Sequence, residues 1–331
     1  MLEIINRIFR FRRPVRLKAV NLALSADCNA DCIFCPSVRA GAAKQRMMPL
    51  GYVEKILKEI TSPEFAKKHD IRTMSISQNG EAFLNKELIS ILRLIRKMAP
   101  RIKVRIFTNF SHFSKEKAEI ILGENLIQEF DCNIDGSSEA NYFSVKKLDY
   151  KNTRNNIAAF LETRKRLNVR APLTIWALTL HSYIHGIYGK FGFYPEKMTD
   201  PGLIAVPDDF ELIKEEYEKM LDPLQDRVVK SDFIAWSERK RVDAGNIDYS
   251  KYACPVLSRV REEAFISPDG TWYACNHDAE NILVLGNVVE ESIEQVFNCE
   301  KRRKLIDLLE RKQFGRIDGP CRTVVCCQVI R

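Results

Sequence analysis

Long hydrophobic runs and a signal-peptide pattern are both missing from this 331-residue sequence. No segment approaches the roughly 18 consecutive apolar residues that a membrane-spanning helix needs. The first 11 residues are amphipathic and lack the charged end, apolar block and cleavage site of a secretion signal. Low-complexity composition is missing as well, since hydrophobic residues make up 45% and charged residues 29%. The sequence therefore predicts a cytoplasmic globular protein of one large or two modest domains, without a membrane span.

Nucleic-acid-binding signatures are also missing, although the formal net charge is +8. Neither a helix-turn-helix nor an aromatic-rich RNA motif accompanies the basic residues, so we expect no nucleic-acid partner. The basic excess is local and concentrates in residues 10–18 and 301–304. Such runs are typical of a solvated face. The alternatives are a surface that attracts an anionic substrate, such as a phosphorylated or nucleotide-linked molecule, or one that meets an acidic membrane.

Ten cysteines are the most informative residues, because most of them fall into two groups. In a reducing compartment a disulfide framework is not expected, and a chain this long does not need one. Clustered cysteines in an intracellular protein indicate bound metal instead. The first group is Cys28, Cys32 and Cys35; the second is Cys254, Cys275, Cys321, Cys326 and Cys327; Cys132 and Cys299 stand alone.

Short β-branched segments alternate with longer amphipathic ones along most of the chain. This alternation predicts an α/β fold whose parallel strands form an open sheet or a partial (β/α)6 barrel, with reactive groups at the carboxyl ends of the strands. The predicted strands cover residues 20–24, 73–77, 104–108, 130–134, 173–180 and 233–236. The predicted helices cover residues 50–60, 86–98, 115–122, 153–167 and 208–221.

The character of the sequence changes near residue 250. Strands become short, and a turn at residues 268–270 joins strands predicted over 263–267 and 272–275. We therefore divide the chain into a core over residues 1–249 and a small C-terminal α+β domain over residues 250–331.

The first cysteine group follows directly on the first predicted strand. Structural zinc needs four protein ligands, whereas Cys28, Cys32 and Cys35 offer three, with no histidine nearby. An iron–sulfur cubane held by three cysteines leaves one iron open. An open iron at the carboxyl end of a strand is a reactive site.

The spacing Cys-x3-Cys-x2-Cys, with the aromatic Phe34 before the third cysteine, resembles the radical S-adenosylmethionine (SAM) superfamily. The resemblance implies a 4Fe-4S cluster whose open iron binds the amino and carboxylate groups of SAM. One electron from the cluster then cleaves SAM to methionine and a 5′-deoxyadenosyl radical, which takes hydrogen from a C–H bond. The protein orients these groups and excludes water. A low-potential electron donor of the flavodoxin or ferredoxin type is implied as a partner.

Further parts of the family pattern follow the next three strands. The family has Gly-Gly-Glu-Pro after the second strand, where this chain has Gln-Asn-Gly-Glu-Ala at residues 78–82. Asparagine therefore replaces the first glycine of the family pattern, and alanine replaces its proline. Thr-Asn at 108–109 fits the start of Thr-Asn-Gly, and Asn-Ile-Asp-Gly at 133–136 fits Ser-x-Asp-Gly. Loop or cap chemistry is the alternative for each polar position. The SAM-binding residues that the resemblance implies are Phe34, Gly80, Glu81, Thr108, Asn109, Asn133, Asp135 and Arg154.

The spacing Cys254-x15-Gly270-x4-Cys275 resembles the opening of the SPASM and twitch extensions of radical SAM enzymes. Full SPASM domains carry cysteines for two auxiliary clusters, more than remain here, so the twitch form with one auxiliary 4Fe-4S cluster fits better. Structural zinc is the alternative. Adjacent cysteines cannot easily both bind one cluster, and Cys326 is the rival for the last position. The auxiliary ligands that the resemblance implies are Cys254, Cys275, Cys321 and Cys327.

The segment at residues 181–206 follows the fifth predicted strand and is rich in glycine and aromatic residues. We expect either an aromatic-packed loop or a lid that keeps water from the substrate radical. Its histidines, His181 and His185, are candidates to accept a proton. Cys132 and Cys299 are expected to be inert, and the alternative is a hydrogen donor that would turn an oxidation into an epimerisation.

The resemblance implies dehydrogenation or epimerisation of a small polar substrate, such as a sugar, an aminocyclitol or a nucleotide-linked molecule. Only 27 residues precede Cys28, so we expect no N-terminal module for binding a leader peptide. The main alternative is a SPASM-type maturase that modifies a peptide or protein. A non-catalytic zinc-binding module is a further alternative.

Overall fold

The structure is a computed structural model that describes residues 15–35, 46–76, 80–195, 198–231, 241–278 and 281–329. Eleven strands are found in these ranges. They are β1 Ala19–Leu22, β2 Thr73–Ile76, β3 Lys103–Thr108, β4 Glu129–Asn133, β5 Leu173–Ala177, β6 Arg227–Lys230, β7 Tyr252–Ala253, β8 Glu263–Ile266, β9 Thr271–Tyr273, β10 Val284–Asn287 and β11 Gln328–Val329.

The described helices alternate with the strands through the first two thirds of the chain. They are α1 Leu50–Ile60, α2 Pro63–Lys68, α3 Leu88–Met98, α4 Lys115–Gly123, α5 Glu139–Lys146, α6 Tyr150–Leu167, α7 Leu180–Phe191, α8 Pro201–Ile204, α9 Phe210–Glu218, α10 Leu257–Glu262, α11 Ile293–Phe297 and α12 Glu300–Glu310. None of them is both long and apolar enough to cross a membrane.

Strands β1 to β6 lie side by side in chain order, and each pairs in parallel with the next. The helices between them bury their apolar faces against the sheet. Helix α1 buries Val53, Ile56, Leu57 and Ile60, the face that its spacing predicts. The α/β prediction, with parallel strands in a partial barrel and a C-terminal extension, is confirmed. All loops that follow these parallel strands open at one edge of the sheet.

The C-terminal hairpin continues the same sheet. Strand β8 pairs in parallel with the free side of β1, setting Ala264 opposite Val20. Strands β9 and β10 then add in antiparallel orientation. The hairpin turns at Gly270, where φ is +83° and a Cβ would collide with the side chain of Val289. The second cysteine group is thereby attached to the strand that leads into the first. The chain division near residue 250 stays a prediction.

The structure adds a sixth parallel strand that the sequence did not predict, and it shows helices in the segment at residues 181–206. The sixth strand is β6. Its only apolar residues are Val228 and Val229, which lie between two charged residues and are too short a run to predict a strand from the sequence. The predicted strand at 233–236 lies outside the described residues, as do Asn79 and most of the N-terminal basic run. Residues 181–206 include two helices rather than an irregular loop: Thr179 caps α7, and Gly192 ends it in the left-handed region.

The basic run at 301–304 is only partly a solvated face. Arg302 is buried, and its guanidinium donates to the carbonyl oxygens of Phe297 and Val260. It also lies 4.0 Å from the centroid of the Phe297 ring. This arginine holds α12 against α10 and α11 instead of facing an anion.

Candidate functional site

The three cysteines of the first group lie in the loop that leaves the carboxyl end of β1. The last turn of α5 holds this loop through backbone bonds, from Asp31 N to Lys146 O at 3.1 Å and from Ile33 N to Val145 O at 3.0 Å. Burial raises the pKa of Cys28, and it raises that of Cys32 to about 12. Charge on Cys35 raises both pKa values further. The three predicted ligands share this one loop, and their binding of a cluster stays a prediction.

The geometry does not resemble a mononuclear metal site. Within the described ranges, no group of three or more His, Cys, Asp or Glu side chains is arranged to hold a single metal ion. A structural zinc ion binds its thiolates at about 2.3 Å and so draws four ligands tightly together. In a cubane, each cysteine binds a different iron, and the sulfurs are spaced more widely. Three thiols in one short loop offer the soft sulfur donors that an iron–sulfur cluster takes.

Gly80 lies against the backbone that leads into the first cysteine. Its φ is +98°, and a Cβ there would collide with the carbonyl oxygens of Ser25 and Asp27. The next residue continues the contact, since Glu81 N donates to Asp27 O at 2.7 Å. Glycine is required at this position for both its backbone angle and its lack of a side chain.

Glu81 joins the loops that follow β2 and β3. Glu81 is only 2% exposed, and burial raises the pKa of its carboxyl group. The carboxylate accepts hydrogen bonds from Thr108 Oγ1 at 2.9 Å, Asn109 N at 2.8 Å and Phe83 N at 3.1 Å. Three of the predicted SAM-binding residues are therefore brought into one network, and that network holds the chain's own loops.

Asn29 extends this network into the cysteine loop, although the sequence offered no reason to select it. Asn109 Nδ2 donates to Asn29 Oδ1 at 3.0 Å, and Asn29 Nδ2 donates to Ser111 Oγ at 2.8 Å. The loop of the three cysteines is thus tied to the loop after β3 as well as to α5.

Lys146 is a second residue that the sequence did not reveal. Its side chain is 4% exposed and forms an ion pair with Asp135, whose side chain is 0% exposed. Lys146 Nζ donates to Asp135 Oδ2 at 3.0 Å and to Asn133 O at 3.2 Å, and Leu178 N donates to Asp135 Oδ1 at 2.8 Å. The ammonium charge also lowers the pKa of Cys32 against the effect of burial. In the sequence, this lysine looks like any basic residue near a helix end.

The other predicted SAM-binding residues are spread along the same edge of the sheet. Asn133 ends β4 and is half-buried. Arg154 donates from Nε to Glu216 Oε1 at 2.8 Å, so part of its guanidinium is already bound. Phe34 packs against Tyr183 of α7, with ring centroids 5.8 Å apart.

The two isolated cysteines have internal contacts. Cys132 on β4 is fully buried, and burial raises its pKa. Cys299 caps α12, accepting a hydrogen bond from Arg302 N at 3.4 Å. Both environments match inert thiols.

His181 and His185 lie one turn apart on α7, with ring centroids 4.2 Å apart. His181 Nδ1 lies 2.9 Å from Val206 O, and His185 Nε2 lies 3.1 Å from Ile204 O. A carbonyl oxygen can only accept, so these nitrogens carry the protons. In each neutral ring the other nitrogen then keeps a lone pair that can take up a proton.

The second cysteine group is assembled from the hairpin and the C-terminal tail. Strand β7 pairs with β11, which brings the residues before Cys254 against the residues after Cys327. Burial raises the pKa of Cys254 to about 11, and it raises those of Cys275 and Cys321 as well. Charge on Cys326 raises the pKa of all three. The β7–β11 register, continued by one residue, sets Cys327 opposite Cys254, so Cys327 stays the predicted fourth ligand and Cys326 its rival.

Lys190 of α7 reaches this second group. Its Nζ donates to Val324 O at 2.8 Å, to Val325 O at 3.1 Å and to Cys327 O. Helix α7 also shares a small apolar core with Ile33 and Phe34 of the first cysteine loop. One helix therefore contacts both cysteine segments.

Two family models match the chain. One is the radical SAM superfamily, over residues 22–181, and the other is SPASM, an iron-sulfur cluster-binding domain, over residues 254–327. No curated protein matches the chain closely enough to count as a relative.

Several solved structures share this fold at low sequence identity. The crystal structure of BtrN in complex with AdoMet and 2-DOIA is 16% identical, with a TM-score of 0.52, over 95% of this chain and 94% of that chain. Native anSMEcpe with bound AdoMet is 16% identical, with a TM-score of 0.54, over 92% and 87% of the two chains. Streptococcus suis SuiB bound to precursor peptide SuiA is 14% identical, with a TM-score of 0.54, over 86% and 65%.

Proposed function

Because the chain belongs to the radical SAM superfamily and carries a SPASM domain, we propose that it dehydrogenates a small polar substrate with SAM and two 4Fe-4S clusters. The supporting observation is the presence of two separate cysteine groups, both in contact with α7. The first offers three ligands and leaves an iron open, whereas the second can offer a full set of four. Iron–sulfur clusters and SAM follow from the family. The number of clusters and their ligands are part of the proposal.

Cys28, Cys32 and Cys35 would hold the first cluster. Cys254, Cys275 and Cys321 would hold the auxiliary cluster together with Cys327, with Cys326 as the rival. When bound, these cofactors supply one electron that cleaves SAM to methionine and a 5′-deoxyadenosyl radical, a radical that takes one hydrogen atom from a substrate carbon, and an acceptor for the one electron left on the substrate.

The chain's own residues divide into those that face the SAM region and those that support it. Half-buried Asn133 at the end of β4 and the aromatic Phe34 are the proposed direct contacts, together with the backbone around Gly80 and Thr108. Glu81, Asn109, Asp135 and Arg154 are proposed to act through the loops they hold, because their polar atoms already bond within the chain.

His181 or His185 is the proposed proton acceptor for an alcohol oxidation. The substrate would lose a hydrogen atom from carbon and a proton from its hydroxyl group to the base, and the auxiliary cluster would supply the acceptor for the remaining electron, so that a carbonyl group is left. Each histidine can keep one ring nitrogen free for that proton. The internal contacts of Cys132 and Cys299 favour dehydrogenation over epimerisation, since a donor thiol must reach the substrate radical.

A sugar, an aminocyclitol or a nucleotide-linked molecule is the proposed substrate class. The likeness to BtrN supports a small molecule, because each chain covers nearly all of the other and that structure holds 2-DOIA beside AdoMet. The alternative is a maturase that modifies a peptide. It is supported by the likeness to SuiB, whose structure holds a precursor peptide.

The test is anaerobic turnover of the reconstituted protein with SAM and dithionite, or with a reduced flavodoxin or ferredoxin as the proposed natural donor. Formation of 5′-deoxyadenosine supports the radical mechanism, and its absence from protein with intact clusters would contradict it. A panel of carbon-deuterated polyols and aminocyclitols then defines the substrate, since deuterium should appear in 5′-deoxyadenosine. Dehydrogenation lowers the substrate mass by two hydrogens, whereas epimerisation leaves the composition unchanged. Deuterium transfer only from peptides would favour the maturase.

A further inference from the structure

We propose that Lys190 is a positioning residue that raises the reduction potential of the auxiliary cluster and so makes that cluster an electron acceptor for substrate oxidation. The inference rests on the proposed function and deepens it. It assigns a role to a lysine outside both cysteine groups, on the helix that carries the candidate bases.

The hydrogen bonds of Lys190 fix the segment that carries the C-terminal cysteines. Its Nζ donates to three carbonyl oxygens, those of Val324, Val325 and Cys327, which lie more than 130 residues away in sequence. The backbone at Val324 has a φ of +49°, which is uncommon for a β-branched residue. Such a conformation persists only where surrounding contacts hold it. The ammonium group supplies one of these contacts at the Val324 carbonyl itself.

The described hydrogen bonds of Lys190 Nζ go to three carbonyl oxygens, and none of them goes to a carboxylate. Lys190 is half-buried, so water and salt screen its charge less than they screen an exposed one. The three carbonyl oxygens satisfy its hydrogen-bonding capacity without cancelling its charge.

An unneutralised cation beside a four-thiolate cluster shifts the potential in one direction. A cluster held by four thiolates carries net negative charge, and its reduced form carries one negative charge more. Coulomb attraction to Lys190 therefore stabilises the reduced form more than the oxidised form. Taking up the electron left on the substrate becomes more favourable. Helix α7 would then combine a base for the proton with the charge that favours uptake of the electron.

The decisive measurement is the reduction potential of the auxiliary cluster, without SAM or substrate. The Cys28→Ala, Cys32→Ala and Cys35→Ala triple variant removes the first cluster from the spectrum, and Lys190→Met is added to it. In an EPR-monitored redox titration we expect a lower potential, with the reduced-to-oxidised ratio at a fixed potential falling about tenfold, which is about 59 mV for one electron. Lys190→Arg should restore most of the shift. Lys214→Met removes an exposed lysine and should leave the potential unchanged.

An unchanged potential in Lys190→Met with its iron retained would overturn the proposal. If Lys190→Met loses the auxiliary iron, Lys190→Gln decides, because glutamine donates hydrogen bonds without a charge. A lowered potential in that variant supports the proposal, and a normal one overturns it. A failure of the proposed function gives a different result. In that case the parent triple variant would contain no auxiliary cluster at all.

Discussion

The two cysteine groups differ in how they are assembled and in the charge beside them. The first lies within eight residues of a single loop, whereas the second spans residues 254–327 and needs the β7–β11 pair to close. Each has a buried or half-buried lysine at its side. Lys146 is neutralised by Asp135, while Lys190 contacts only carbonyl oxygens among its described hydrogen bonds. The cluster proposed to give an electron and the cluster proposed to take one thus have different electrostatic surroundings.

Removing one ligand from each cysteine group should give the largest difference between the two groups. Cys32→Ala should reduce SAM cleavage by more than about 100-fold, beyond the 10- to 100-fold typical of residues that only support a metal site. Cys275→Ala should keep part of the SAM cleavage and lose the oxidised product. Quantifying 5′-deoxyadenosine and product in parallel separates the two. Equal loss of both activities in both variants, with the fold intact, would mean that the clusters have no separate roles.

The fourth auxiliary ligand can be settled by a pair of adjacent substitutions. Cys327→Ala should lose the auxiliary iron, because the β7–β11 register, continued by one residue, sets Cys327 opposite Cys254. Cys326→Ala is the matched control, since Cys326 is the adjacent thiol. Iron analysis of the variants that lack the first cluster gives the answer, and iron loss in Cys326→Ala alone would reverse the assignment.

The buried ion pair beside the first group should matter for stability as well as for iron binding. Lys146→Met leaves the carboxylate of Asp135 buried without its partner, and we expect a loss of about 3–5 kcal/mol in the free energy of unfolding. Lys147→Met, at the exposed neighbouring position, should change it by less than about 0.5 kcal/mol. Denaturant unfolding of the apoprotein measures both. If adding Asp135→Asn recovers none of the loss, the ion pair is not its cause.

Two glycines with positive φ provide a milder comparison of the two regions. Gly80→Ala should destabilise the fold by about 1–3 kcal/mol, because the new Cβ meets the rigid carbonyl oxygens of Ser25 and Asp27. Gly270→Ala meets mainly the side chain of Val289, which can move, so its cost should be smaller. Thermal unfolding ranks the two variants. Gly51→Ala, in the first turn of α1 where a Cβ meets no other atom within 4 Å, should instead stabilise by about 0.4–1 kcal/mol.

Periodic and locally spaced features of this fold could be predicted from the sequence, whereas features set by tertiary packing could not. Helix α1 has the predicted bounds because its apolar face repeats at helical spacing, and the first cysteine group needs only one loop. Strand β6 was not predicted because its apolar signal is two valines long. Lys146 and Lys190 could not be identified from the sequence, because the burial and partners of a lysine depend on what packs over it. Lys146 contacts the end of a strand, and Lys190 contacts the distant C-terminal tail.

The parallel pairing of β8 with β1 has a consequence for how the chain folds during synthesis. β1 emerges first, yet its outer edge is covered only after residues 263–266 have been made. Until then a fully buried strand of the finished protein presents unpaired backbone groups to other chains. Truncation before residue 263 would make that exposure permanent, and the truncated protein would be prone to aggregate through its own first strand.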